Sequence, residues 1–293
     1  MLDRSSQLAI PNESFFVPLL ADRHVLRIDP DEFVDDLRRL KTLREWGVPL
    51  AKVRARLRDQ MPIGRAIAAI YEVYAEVQGK QRWGDKTPMY MRHLPLLRRL
   101  FPDAQYVHLI RDGRDAAISF LSMPEGIAFE TWAHPRSAAA FASVWRTEVA
   151  AARRHGQRLG PDRYLEVRYE DLVADAEGSL RRICSFAALP YEPGMTDYAG
   201  SESEEKAHQQ SLKRPLTSGL RDWRTQMSAG DAGAFESVAG DLLRELGYET
   251  DAGADLNGKL RRASYRARIG AWRAATFAYR RSPLWQRRHP RLQ

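Results

Sequence analysis

The sequence predicts an α/β protein: a three-layer sandwich in which a parallel sheet is flanked by helices. Three observations predict it. Two short apolar runs, 106–110 and 164–169, are bounded by turn residues and suit buried strands, with a weaker third strand at 82–84. Longer segments with helical periodicity lie between and beyond them, and strands separated by helices imply parallel pairing with helices on both faces. A chain of 293 residues can bury a large core as one α/β domain.

In chain order, residues 1–11 read as the end of a helix and its following loop. Helices are expected at 31–45 and at 65–78, where Ile67, Ile70, Tyr71, Tyr74 and Val77 share a face. The weak strand at 82–84 leads into a helix over 88–100, with Thr87 as N-cap and Pro88 as first helical residue. Strand 106–110 follows a Phe-Pro-Asp-Ala turn and feeds a helix at 112–121. Further helices are expected at 132–155, at 175–188 after strand 164–169, and at 232–246. There are no internal repeats.

The chemistry concentrates between Trp83 and Phe120. Arg111 stands at the carboxyl end of a strand and just before a helix, where open α/β sheets place ligands. Its guanidinium can grip two phosphate oxygens at once, and the amino end of the helix favours an anion. Ser119, about two helical turns on, offers a hydroxyl from the same side. Lys86 lies in a loop at a helix start, a natural place for a cation that meets phosphate or sulfate. The alternative for Lys86, Arg111 and Arg114 is a set of solvated surface charges.

At these residues the chain resembles the PAPS-dependent sulfotransferases, and among them the bacterial members and the tyrosylprotein sulfotransferases. The matching segments are Asp85-Lys86-Thr87-Pro88, Phe101-Pro102-Asp103-Ala104, and Arg111-Asp112-Gly113-Arg114 with Ser119. The resemblance implies a P-loop NTPase-like sulfotransferase fold and the donor PAPS (3′-phosphoadenosine 5′-phosphosulfate), whose 3′-phosphate Arg111 and Ser119 would bind. It implies a place for Tyr169, in Tyr169-Glu170-Asp171-Leu172, near the donor nucleotide; a tyrosine packed at a strand end is the alternative. Ser211 to Pro215 with Ser218 to Trp223 resembles the loop that folds over the 3′-phosphate, and either Lys213 or Arg214 would make the contact. Glu13 falls where tyrosylprotein sulfotransferases place the base that deprotonates the acceptor. Ile10, Phe15 and Phe16 could raise its pKa by desolvation.

Family members begin with a strand and a Pro-Arg-Ser-Gly-Thr-Thr loop that holds the 5′-phosphosulfate. No such segment precedes Glu13, and the first glycine is Gly47. The expectation is an upstream extension of about 15 to 30 residues supplying that strand, loop and two helical turns. Two rival functions remain: a non-catalytic nucleotide- or membrane-binding relative, and a P-loop kinase, which would need a G-x-x-x-x-G-K-[ST] loop that the sequence lacks.

Composition sets outer limits. The one cysteine, Cys184, lies on an apolar helix face, which suits core packing in a reducing compartment. The seven histidines have no metal-ligand spacing, so no metal is expected. No apolar run approaches the roughly 18 residues of a membrane span, and a cytoplasmic protein is the default. The formal charge is +8, yet residues 259–293 hold one Lys, ten Arg and no Asp or Glu, leaving 35 basic against 38 acidic residues in 1–258. The chain thus divides into a catalytic domain, 1–258, and a basic, aromatic-containing helix or tail, 259–293. That tail fits an anionic membrane surface at the periphery of the membrane, or a docked terminal helix with solvated arginines; nucleic acid fits less well. The acceptor, a small molecule, glycan, lipid or peptide with a hydroxyl or amine, is not readable from the sequence.

Overall fold

The structure, a computed structural model, describes residues 1–123, 135–197, 221–251 and 256–280. Four strands lie among them: β1 (Leu8–Ala9), β2 (Arg82–Trp83), β3 (Tyr106–Ile110) and β4 (Tyr164–Arg168). Between β1 and β2 run α1 (Val17–Arg23), α2 (Pro30–Leu37), α3 (Lys41–Glu45), α4 (Leu50–Arg56) and α5 (Ile63–Val77). Then come α6 (Leu94–Leu100) before β3, and α7 (Gly113–Leu121) and α8 (Ala138–Leu159) between β3 and β4. The chain continues through α9 (Tyr169–Ala174), α10 (Ala176–Phe186), α11 (Trp223–Gln226), α12 (Ala229–Glu245) and α13 (Leu256–Arg280).

All pairing is parallel, as the alternation of strands and helices requires, and among the described residues it forms two separate ribbons. β1 pairs with β2 in the register Leu8↔Arg82 and Ala9↔Trp83. β3 pairs with β4 from Tyr106↔Tyr164 to Ile110↔Arg168. On β3, side chains alternate between faces. His108 and Ile110 are buried on the α8 side, where His108 Nδ1 lies 2.6 Å from the Tyr164 hydroxyl and the Tyr106 ring meets His155 edge-on. Val107 and Leu109 face the other way and stay exposed, at 38% and 49%.

Several expected elements are redrawn. Residues 1–11 are not a helix end: a 3-10 turn at Leu2–Arg4 leads into β1, and the Asp3 carboxylate accepts the Ile10 N–H at 2.8 Å. Leu8 and Ala9 extend because β2 offers them a ladder, a partner more than 70 residues away. The helix expected over 31–45 is two, since the chain tightens at Arg39 and Leu40, whose N–H groups donate to Asp36 and Leu37 three residues back. Over 88–100, a 3-10 turn (Pro88–His93) precedes α6, because Pro95 has no N–H to continue an α-helical ladder. α8 starts at Ala138, where the Ser137 hydroxyl accepts the Ala140 N–H, and runs four residues beyond the expected 155 to Leu159. Helices α1, α9 and α11 were not expected, and α4 was expected only as an Arg-rich helix without bounds. Helices α5, α7, α10 and α12 lie within three residues of expectation, the last three with Asp112, Asp175 and Ser228 as caps.

Two cores hold the site from either side. The first gathers Phe16, Leu20, Phe33, Leu37, Ile67 and Ile70 from α1, α2 and α5 and their flanks, with Trp83 of β2 against it. The second packs Ile110 of β3 with Ala117, Trp145, Phe235 and Leu242 from α7, α8 and α12. The arginines of α4 are ion-paired, Arg54 with Asp31 and Arg56 with Glu76, so they form a charge-balanced surface.

Candidate functional site

Each parallel ribbon places its two carboxyl ends side by side, and each gathers one half of the expected site. Beyond β1 and β2 stand Glu13 and Lys86, joined by a 2.7 Å ion pair between Lys86 Nζ and Glu13 Oε1. The Glu13 side chain is 18% exposed and that of Lys86 63%. The carboxylate is held while the ammonium has room to turn.

What holds Glu13 is a buried latch that sequence reasoning missed. Thr87 was expected to cap the following helix; instead its Oγ1 accepts the Ser14 N–H at 3.0 Å, and no side-chain cap bond forms. The Ser14 hydroxyl lies 2.6 Å from that of Tyr90, which also accepts the Val17 N–H at 3.0 Å. Asp85, next to Lys86, accepts from the Tyr71 hydroxyl at 2.7 Å. Burial pushes the Tyr71 and Tyr90 hydroxyls well above the ordinary phenol range, so both remain protonated. The only sequence signal was a Ser and a Thr flanking the two charged residues. The apolar collar expected around Glu13 is open on one side: Phe16 turns into the core, whereas Phe15, in the left-handed backbone region at φ 56°, is 42% exposed.

Beyond β3 and β4 stand Arg111 and Tyr169. The Arg111 guanidinium lies 4.8 Å over the Tyr169 ring, within cation–π range, and its side chain is 25% exposed. Its Nη2 is 3.4 Å from the Arg221 carbonyl and 3.6 Å from Asp115 Oδ2, while its buried Nε has no hydrogen-bond partner. Ser119 lies one helical turn beyond Asp115 on α7, the i, i+4 neighbour on the same face. Burial raises the Asp115 carboxyl above its usual range, and the Trp223 N–H that it accepts at 2.9 Å opposes this. Arg111 and Tyr169 are thus in contact, and Ser119 lies on the α7 face that carries Asp115. Lys213 and Arg214 lie outside the described residues.

Of the two arginine side chains between Arg111 and Arg114, that of Arg111 keeps a nitrogen without a hydrogen-bond partner. Arg114 is 0% exposed: its Nε and Nη2 grip Asp112 at 3.1 and 2.7 Å, Nη1 donates to Glu236 at 2.6 Å, and its guanidinium stacks 3.7 Å over Trp223. It is neither a phosphate ligand nor a solvated charge. Gly113 is glycine because a Cβ there would lie 2.5 Å from Phe235 and 2.6 Å from Trp145. The amino end of α7 is also partly taken, since Asp112 accepts the Arg114 N–H and Glu170 the Asp112 N–H, both at 2.9 Å. Two of the N–H groups that could have met an anion there are thus held by carboxylates. A groove of about 280 Å³ nearby is lined by Asp112, Asp115, Glu170 and Glu249 as well as by arginines, a mixture that does not suit an anion.

No group of three or more His, Cys, Asp or Glu side chains that could hold a metal ion occurs among the described residues. Cys184 is free and buried. No helix there is long and apolar enough to cross a membrane.

A profile described as the sulfotransferase family matches residues 1–193, about two thirds of the chain. The chain belongs to the sulfotransferase family. It is 29% identical over 243 residues to nodulation protein NoeE of Sinorhizobium fredii, covering 73% of this chain and 57% of the relative. It is 26% identical over 182 residues to protein-tyrosine sulfotransferase A of Caenorhabditis elegans, covering 60% and 47%. The chain thus spans about half the length of these relatives. In fold it is similar to the sulfotransferase domain from the curacin biosynthetic pathway, with a TM-score of 0.57 at 20% identity over 85% of this chain and 92% of that one.

Proposed function

We propose that this sulfotransferase moves a sulfonyl group from PAPS to an acceptor hydroxyl or amine, with Glu13 and Lys86 as the reacting pair and Arg111, Ser119 and Tyr169 as donor ligands. The observation that carries the reading is the 2.7 Å contact between Glu13 and Lys86, which lie 73 residues apart in sequence. A base and a cation in contact at adjacent strand ends suit a reaction that takes a proton at one atom and builds charge at another.

The orphaned Nε of Arg111 beside a half-buried cation–π stack supports an anion there, so the residues present fit the donor's 3′-phosphate. PAPS would supply an activated sulfonyl group on a phosphate leaving group. Glu13 takes the acceptor proton as the acceptor oxygen, or nitrogen, bonds to sulfur. Lys86 turns from Glu13 toward the bridging oxygen and neutralises the charge that appears as the sulfur–oxygen bond breaks. Lys213 or Arg214 would add a second cation to the phosphate. The proposed catalytic domain is 1–258, the proposed compartment the cytoplasm, and no metal takes part.

Calorimetry with adenosine 3′,5′-bisphosphate tests the donor half. Arg111→Ala should weaken binding more than Ser119→Ala, by roughly ten- to a hundredfold, because a charge-assisted contact is lost; equal binding by Arg111→Ala and wild type would remove the assignment. Sulfonyl-transfer assays test the other half. Glu13→Gln should lower turnover by roughly 10² to 10⁴ with donor affinity little changed. Donor-product binding without turnover for any hydroxyl or amine acceptor would favour the non-catalytic reading.

A further inference from the structure

The last described helix carries a basic face with no part in the site above. α13 holds seven cations and no acid: Lys259, Arg261, Arg262, Arg266, Arg268, Arg273 and Arg280. Its amino-terminal end is pinned to the body. Gly258 is buried so close to α12 that a Cβ would lie 1.7 Å from the Ser237 carbonyl oxygen, Tyr265 is 7% exposed, and Arg262 Nη1 lies 3.8 Å from Asp241 Oδ2.

The body carboxylate near Arg262 does not neutralise it outright. Asp241 is already gripped by Arg146 through two 2.7 Å bonds, so Arg262 joins a carboxylate that has its full partner. Burial pulls Arg146 below its ordinary range; Asp241 opposes this, and the charges of Arg262 and Arg266 add to it. Lys259, Arg262, Ala263 and Arg266, spaced as one helix face, line a groove of about 260 Å³. Lys259 and Arg266 are exposed there, and Leu260 beside them is 60% exposed.

We infer that this face of α13 docks on an anionic phospholipid surface, with headgroup phosphates against Lys259, Arg262 and Arg266. Charge complementarity selects the occupant: a cationic groove on a body whose other residues sum to 35 basic against 38 acidic attracts a negative surface locally, not through the whole protein. Leu260 decides between a membrane and a nucleic acid. An exposed leucine gains nothing on a phosphate backbone, whereas at a bilayer it enters the boundary between headgroups and acyl chains. The attachment is peripheral and independent of the proposed transferase chemistry, since none of these residues belongs to either half-site.

Vesicle co-sedimentation of the full chain tests this at 0.1 M salt, with phosphatidylcholine vesicles with and without about one third phosphatidylglycerol. Binding should require the anionic lipid and disappear by 0.5 M salt, where screening shortens the reach of each charge. Lys259→Gln with Arg266→Gln should lower partitioning about 25-fold, taking about fivefold per cation near the surface. Thermal melting should match wild type, because neither residue pairs with the body; if the variant melts early, the salt and lipid series on wild type decides. Equal binding to neutral vesicles, displacement by millimolar inorganic phosphate, or affinity for duplex DNA without affinity for anionic vesicles would overturn the inference.

Discussion

Arg114 offers the sharpest test of how the second ribbon is held in place. Arg114→Met keeps most of the buried stem and removes the guanidinium, leaving Asp112 and Glu236, with side chains 7% and 2% exposed, without the cation between them. Removing one partner of a buried ion set costs about 3–5 kcal/mol. Two carboxylates lose this shared cation and the Trp223 stack goes with it, so the upper part of that range applies. For a chain of this size about 4–5 kcal/mol corresponds to a fall in Tm of roughly 8–20 °C. Urea unfolding at pH 7 and calorimetry measure it. Arg114→Lys should fall in between, because an ammonium cannot fork onto Asp112 while reaching Glu236. The triple variant Asp112→Asn, Arg114→Met, Glu236→Gln should recover most of the loss, since neutralising the whole set removes the stranded charge and Asn still caps α7. A single variant within about 1 kcal/mol of wild type, or a triple variant no better than the single, would refute the reasoning.

Two further outcomes follow from buried groups. Burial lowers the His108 imidazole to about 4, against an ordinary value near 6.5, so between those values the unfolded chain binds the extra proton and acid favours unfolding. Stability should fall by on the order of 2 kcal/mol from pH 7 to pH 5, and His108→Gln should flatten that slope in urea titrations at the two pH values; an unchanged slope would place the titrating group elsewhere. Thr87→Val strands the buried Ser14 N–H and should cost about 1–3 kcal/mol in unfolding free energy. If the latch positions Glu13, turnover should also fall while adenosine 3′,5′-bisphosphate binding holds; wild-type turnover would mean that the Ser14 bond serves stability alone.

How much of the site was legible depended on where each residue's partners lie. Arg111 and Tyr169 could be placed because a strand ends within a residue of each, and a parallel pair sets its carboxyl ends side by side whatever the intervening sequence. Glu13 was placed by resemblance alone, since β1 is two residues long, too short for a period, and becomes a strand only by pairing with β2. Helix α1 went unread for a related reason: at seven residues, it owes its stability to tertiary packing on α5 more than to its own sequence. The supporting layer left no local trace. Ser14 finds Thr87 and Tyr90 across more than 70 residues, and Arg114 finds Glu236 across 122, so neither contact shapes any short stretch of sequence. That distance also explains why Arg114 reads so easily as a solvated surface charge. In the chain it stands three residues from Arg111, but α7 begins between them, and the turn of the helix sends one guanidinium to the site and the other into the core.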